Sequence, residues 1–238
     1  MRIALIGYGK MGKAIEEIAV QRGHTIVLKI DQPNIHELTP ANLKLADVAI
    51  EFTGPHSAFE NVKTCIEAGT PVVCGSTGWG NRVAEMQKFS NEKLGGFVYS
   101  SNYSVGVNIF FEVNKKLAAL MAPHKEYEVI LEEIHHTQKK DAPSGTAISL
   151  AEQILDELGR KKQWVNDISD NPEDLEIISQ RIDPTPGTHS VKYSSIVDDI
   201  EIIHTAHNRT GFATGAVVAA EFIAGKKGNF SMKEVLGF

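Results

Sequence analysis

Two cysteines, Cys65 and Cys74, are too few for a disulfide framework in a chain of 238 residues, and so sparse a use points to a reducing compartment, the cytoplasm. Long hydrophobic runs are missing too. No apolar stretch approaches the roughly 20 residues that span a bilayer, and residues 1–6 reach Gly7 before they can form a secretory signal. Nor is there a basic excess: the formal charge is −6, with acids and bases interspersed. General nucleic-acid binding and docking on anionic membranes need a basic face and are not expected. An anionic small molecule would have to be attracted by a local cluster of cations. What is present, 42 % hydrophobic and 23 % charged residues, suits a folded core, with one large domain or two small ones at this length.

The first hundred residues alternate short β-branched runs with helical patterns. Strands are expected at 2–6, 25–30, 47–52, 71–74 and 97–100, and helices at 10–22, 57–68 and 82–93. The strands are nearly continuous apolar runs, as in a parallel sheet covered on both faces. Past Ser104 the rhythm changes. A helix over 107–121 leads to a strand over 127–135, a polar loop and a second helix from Ser144 or Gly145 to Leu158. Three strand-like segments then follow without long helices, at 175–183, 189–195 and 200–206, which predicts antiparallel neighbours. The tail, 211–224, is helical again. The expected fold is α/β: a Rossmann-type parallel-sheet domain (1–103 with 208–238) and an α+β domain with a mixed, largely antiparallel sheet (104–207), used for substrate binding and oligomerisation.

Gly7-Tyr8-Gly9-Lys10-Met11-Gly12 fits G-x-G-x-x-G, directly after the first strand and at the start of the first helix. Gly7 permits a tight turn, Gly9 a close approach to a pyrophosphate and Gly12 helix–strand packing, with the helix N-terminus facing the phosphates. Asp31, 24 residues after Gly7 at the end of the second strand, suits the adenosine ribose hydroxyls and repels a 2′-phosphate. The next residue is Gln32 rather than a cation, so NADH is expected ahead of NADPH. Two further strand ends, Phe52-Thr53 and Gly75-Ser76-Thr77, should line the nicotinamide half. Cys65 falls within a helix and Cys74 ends a buried strand, which suits packing better than the nucleophile of an aldehyde dehydrogenase.

The richest stretch runs from Glu132 to Ala147. His135 and His136 end a strand, Lys139 follows, and Asp141-Ala142-Pro143-Ser144-Gly145-Thr146 opens a helix. Adjacent strand residues point to opposite faces and no H-E-x-x-H or cysteine set is present, so no metal is expected. A non-enzymatic dinucleotide sensor would have no use for such proton donors. This segment resembles the signature of the 4-hydroxy-tetrahydrodipicolinate reductase (dihydrodipicolinate reductase) family. The likeness extends to the glycine turn, to Gly75-Ser76-Thr77, to Ser101-Asn102-Tyr103-Ser104 and to Arg209, Phe212, Ala213, Gly215 and Ala216 in the tail.

The resemblance implies an NAD(P)H-dependent reductase of lysine and diaminopimelate biosynthesis. Its substrate loses water and its cyclic imine is reduced. His135 and Lys139 are implied as the acid pair, either one being the direct donor. His136, Gly145 and Thr146 are implied to hold a carboxylate of a small dicarboxylate substrate. Ser100, Ser101, Asn102 and Tyr103 join the coenzyme-binding set, and the assembly implied is a homotetramer.

Overall fold

The computed structural model describes residues 1–208 and 210–238; Arg209, part of the tail likeness, lies outside the described residues. In chain order the elements begin β1 (Arg2–Ile6), α1 (Lys10–Gln21), β2 (Thr25–Ile30), α2 (Pro40–Leu43), β3 (Val48–Glu51), α3 (Ala58–Ala68), β4 (Val72–Cys74) and α4 (Val83–Glu92). They continue with β5 (Gly96–Tyr99), α5 (Val105–Met121), β6 (Glu128–His135), α6 (Gly145–Glu157), β7 (Gln163–Val165) and β8 (Asp174–Arg181). The last are β9 (Gly187–Ser194), β10 (Asp199–Ala206), α7 (Thr210–Ile223), β11 (Gly228–Phe230) and α8 (Met232–Leu236). They fall into two compact units, Met1–Asn108 with Arg209–Phe238, and Ile109–Asn208. The first turn of α5 stays with the first unit, where Asn108 Nδ2 donates back to the carbonyls of Asn102 (3.0 Å) and Ser104 (2.8 Å).

In the first unit six strands form one sheet in the order β11-β5-β4-β3-β1-β2, every pairing parallel. Alternate residues of β1 serve opposite cores. Ile3 and Leu5 pack with Ile15 and Ala19 of α1 and with Ala216, Val217 and Ala220 of α7. Ala4 and Ile6 pack with Val62 and Ile66 of α3 and Met86 of α4. Burial on both faces is why these strands read as unbroken apolar runs, each enclosed aliphatic side chain contributing about 1.5–3 kcal/mol. The tail therefore returns to the parallel sheet twice, as α7 on one face and as β11 beside β5. Chain order reverses between β1 and β3, and a crevice opens at the carboxyl ends of strands flanking such a switch point.

In the second unit the order is β10-β9-β6-β8-β7, with β10–β9 and β9–β6 antiparallel and β6–β8 and β8–β7 parallel. The sheet is mixed, as expected, but β8 and β9 are not antiparallel neighbours. β6 lies between them, and the loop after Arg181 carries the chain past its end. The inward residues Val129, Leu131, Leu175, Ile177, Val191 and Tyr193 form a core with Phe110 and Ala118 of α5 and Leu150, Ala151 and Ile154 of α6. No helix is long and apolar enough to cross a membrane among the described residues.

Candidate active site

The glycine turn sits at the switch point. Gly7 has φ +93°, and a Cβ there would lie 2.2 Å from the carbonyl oxygen of Phe52; a Cβ on Gly12 would lie 2.2 Å from that of Gly7. Both positions admit only glycine, while Gly9 faces open space. The N-cap of α1, Gly9, brings no side chain to the first-turn N–H groups of Lys10, Met11 and Gly12, which leaves them to an anion. The turn opens on a cleft of about 460 Å³ lined by Gly7, Gly9, Asp31, Phe52, Thr53 and Ser57, among others. The volume and the free amides suit a dinucleotide.

Asp31 is exposed at the cleft and caps the turn that follows. One carboxylate oxygen accepts from the Gln32 N–H at 2.9 Å, and Asn34 Oδ1 accepts from the Asp31 N–H at 2.8 Å. This fixes the carboxylate at the rim of the cleft. Lys29 is turned away: its Nζ pairs with Glu16 at 2.6 Å and lies over the Tyr8 ring, whose hydroxyl donates to the same carboxylate. No lysine or arginine lines the cleft among the described residues. The Thr53 N–H donates to the buried Ser76 Oγ at 2.8 Å, which locks the loops after β3 and β4 together and leaves Thr77 exposed beside them. Beneath them Glu51 is fully buried and accepts from Thr53, from Asn61 (3.4 Å) and from Cys74 Sγ (2.9 Å).

Among 100–103 the polar groups largely serve the loop. Ser100 Oγ donates to the Asn102 carbonyl at 2.7 Å and Asn102 Oδ1 accepts from the Ser104 N–H at 2.9 Å, with Ser101 exposed. Tyr103 turns its side chain inward. Its side chain is buried in the core, its hydroxyl donates to the carbonyls of Cys74 (2.9 Å) and Val98 (3.2 Å), and its ring packs on Phe52. The Tyr103 side chain supports the floor of the unit.

In the second unit β6 alternates with period two, and Val129, Leu131, Glu133 and His135 face inward. The register places Ser179 and His189 opposite Glu133, and Arg181 opposite His135, so the polar end of the inward face draws on three strands. Glu133 is fully buried. It accepts from the Ser144 N–H at 3.1 Å, from Ser179 Oγ at 2.8 Å and from Arg181 Nη2 at 3.2 Å. Burial alone would raise its pKa, but hydrogen bonds from His189, Ser144 and Ser179 outweigh that and hold the carboxyl below the usual range. His135 is lowered from 6.5 to about 4, mainly by burial, with His189, Lys139 and Arg181 adding to the effect against the pull of Glu133.

The loop after β6 is tied down at three points. The Thr137 N–H and hydroxyl donate to Asp183 (3.1 and 2.6 Å), Arg181 Nη2 donates to the Asp141 carbonyl (2.7 Å), and Glu133 holds the Ser144 N–H. Lys139 Nζ reaches both oxygens of Asp141 at 2.8 Å. Ser144 caps α6 by accepting from the Ala147 N–H, and among the described residues the N–H groups of Gly145 and Thr146 meet no acceptor. His136 is half-buried at the loop entrance.

Where adjacency along β6 argued against a metal, the fold brings in His189 from β9. Ligand atoms of Glu133, His135 and His189 lie within 4.8 Å of one another. Ser144, Ser179 and Arg181 already occupy the carboxylate, and a guanidinium beside it opposes a second cation. The cluster is built as a hydrogen-bonded network.

Comparison with known proteins joins these halves. Residues 1–103 match the family described as "Dihydrodipicolinate reductase, N-terminus" and 106–236 the one described as "Dihydrodipicolinate reductase, C-terminus". The chain belongs to the dihydrodipicolinate reductase family. A curated relative named 4-hydroxy-tetrahydrodipicolinate reductase, from Christiangramia forsetii, is 49 % identical over 237 residues, covering 99 % of this chain and 98 % of the relative. Among solved structures, a dipicolinate-bound dihydrodipicolinate reductase from Paenisporosarcina sp. TG-14 aligns with TM-score 0.78 at 22 % identity, over 98 % of each chain. A probable dehydrogenase from Thermotoga maritima shares the general fold, with TM-score 0.57 at 10 % identity over 99 % and 92 % of the two chains.

Within this dihydrodipicolinate reductase fold, sequence reading did not reach Ser179, Arg181 and His189. Nothing in their spacing from Glu133 signals contact, because that contact needs the strand order β9-β6-β8. A period-two reading of β6 could have paired Glu133 with His135.

Proposed function

We propose that this chain reduces 4-hydroxy-tetrahydrodipicolinate to tetrahydrodipicolinate, using NADH ahead of NADPH. In balance, substrate, NADH and a proton give product, NAD⁺ and water. The observation that carries this reading is a single loop of a dihydrodipicolinate reductase that holds His135, Lys139 and the free N–H groups of Gly145 and Thr146.

In the first unit the free amides at the start of α1 receive the pyrophosphate and Asp31 receives the adenosine ribose. The loops carrying Phe52, Thr53, Gly75, Ser76 and Thr77, with the polar groups of Ser100, Ser101 and Asn102, serve the nicotinamide half. The bound coenzyme supplies a hydride. In the second unit His136, the N-terminus of α6 and the Thr146 hydroxyl hold a substrate carboxylate through charge and N–H and O–H donors. Loss of water leaves a C=C conjugated with the ring C=N; the hydride and one proton saturate that C=C, the C=N is kept in the product, and Lys139, an ammonium with three donors, supplies the proton. His135 is neutral at pH 7 and acts as an acceptor beside that transfer. Asp141 holds the ammonium in place until substrate arrives.

The reading includes a homotetramer in the cytoplasm, a compartment suited to the buried free thiols of Cys65 and Cys74. It is supported by the outward face of the second sheet, where Ile203 is 58 % exposed and the edge strand β10 ends a hairpin tipped by exposed Ile196 and Val197. Light scattering should then give a mass of about four times 26.0 kDa.

Pyridine-2,6-dicarboxylate, a flat mimic of the ring and both carboxylates, tests the substrate assignment. It should compete with substrate, and less strongly in His136→Ala and Thr146→Ala. Absence of binding with NADH present would overturn the assignment.

A further inference from the structure

We infer that Glu133 is a positioning residue for the reduction: its buried carboxylate holds His135 as the Nδ1–H tautomer and so leaves Nε2 as the acceptor. The inference rests on the reading of His135 as the neutral partner of Lys139. Three observations carry it. Nδ1 of His135 is enclosed and has no hydrogen-bond partner, yet lies 3.4 Å from Glu133 Oε2. Such contacts are often long without ligands and tighten in the working complex. Oε1 of the same carboxylate is taken up by Ser179 and Arg181 and both oxygens receive the Ser144 N–H, while Oε2 faces two rings, His189 Nε2 at 3.6 Å and, nearer, His135 Nδ1. Gly187 covers the other side of the ring, since a Cβ there would stand 3.1 Å from Nε2. The imidazole is thus held between a carboxylate and a bare backbone.

The charged and titratable groups that face the ring come from every neighbouring element: Glu133 on β6, Arg181 on β8, His189 on β9 and Lys139 on the loop. Only Glu133 is an anion. A carboxylate can accept from Nδ1–H but cannot donate to it, so the tautomer follows from the partner. Arg181 neutralises that carboxylate and also holds the Asp141 carbonyl, so the same pair sets the path of the loop that carries Lys139.

The test uses the full-length protein and Glu133→Gln, an isosteric change that keeps acceptors for Ser144 and Ser179 and places an amide N–H near Nδ1. Nitrogen-15 NMR of labelled histidine should show Nδ1–H at His135 in the unaltered protein and Nε2–H in Glu133→Gln. In the variant kcat should fall about tenfold to a hundredfold, as when a carboxylate that orients a histidine is lost. KM for NADH should stay unchanged, and Glu133→Asp should recover part of the loss. Lys139→Ala should keep the Nδ1–H signal while losing turnover, so failure of the general-acid reading is distinct from failure of this one. Nε2–H in the unaltered protein would overturn the inference, and so would normal turnover in Glu133→Gln. Should Glu133→Gln not fold, the tautomer of the unaltered protein decides alone.

Discussion

Burial lowers His135 to about 4, so at neutral pH the ring is not an imidazolium, and on the proposed reading Lys139 is the donor. The two residues stand on one short stretch of sequence, which is why their partnership could be read there. Which of them donates could not be read, because it depends on how deeply His135 is buried and on Arg181 and His189 from other strands. On the proposed reading His136 belongs to binding rather than proton transfer. His136→Ala should raise KM for substrate with little change in kcat, because a carboxylate contact made equally in ground and transition states is uniform binding. A fall in kcat alone would place it with the chemistry. On the proposed reading Asp31 decides the coenzyme: its carboxylate is exposed, and Lys29, the nearest cation in sequence, is spent on Glu16. The ratio of kcat/KM for NADH over NADPH should be above one and should drop at least tenfold in Asp31→Ala. A native preference for NADPH of tenfold or more would contradict this account of the cleft.

At the scale of the element, α6 links the proposed substrate site to the core through one residue. Ser144 Oγ caps the helix and meets Nε2 of the buried His189 at 3.1 Å, while its N–H is held by Glu133. Ser144→Ala removes the cap and leaves a buried nitrogen without that partner, a loss of about 1–3 kcal/mol. Thermal unfolding should fall by at least about 2–4 °C per kcal/mol for a chain of this size; an unchanged midpoint would mean that the helix start is held some other way. The long elements were legible because each repeats a pattern: β1 and β3 as apolar runs, α1 and α6 as amphipathic turns closed by glycine. The short strands β7 and β11 were not, since unlike the equally short but wholly buried apolar β4 they carry polar, partly exposed residues, and their neighbours β8 and β5 make them strands. The relation of β8 to β9 was hidden for a related reason. A turn of Pro and Gly suggests a hairpin, but insertion of β6 is settled by tertiary pairing.

The whole molecule carries a pH signature of its site. The folded chain keeps His135 neutral down to about 4, whereas the unfolded chain takes up that proton near 6.5. Below 6.5 the unfolded state therefore binds more protons, and stability falls as pH drops toward 4. Glu133 works in the same direction: its depressed pKa favours the fold above the ordinary carboxylate range and that gain is lost below it. Urea unfolding should show on the order of 2 kcal/mol less stability at pH 5 than at pH 7.5. His135→Gln should flatten the difference, and equal stability at both pH values would mean that His135 is not held neutral.

On the proposed reading a nicotinamide coenzyme, its pyrophosphate held at the glycine turn, reduces a cyclic dicarboxylate with Lys139 as acid. Loss of NADH absorbance on addition of freshly generated 4-hydroxy-tetrahydrodipicolinate tests it most directly, in the unaltered protein and in Lys139→Ala. Turnover in the unaltered protein should require both ligands, and kcat in Lys139→Ala should be lower by roughly 10²–10⁴ with NADH binding preserved. No substrate-dependent oxidation in the unaltered protein, or near-normal turnover in the variant, would contradict the account.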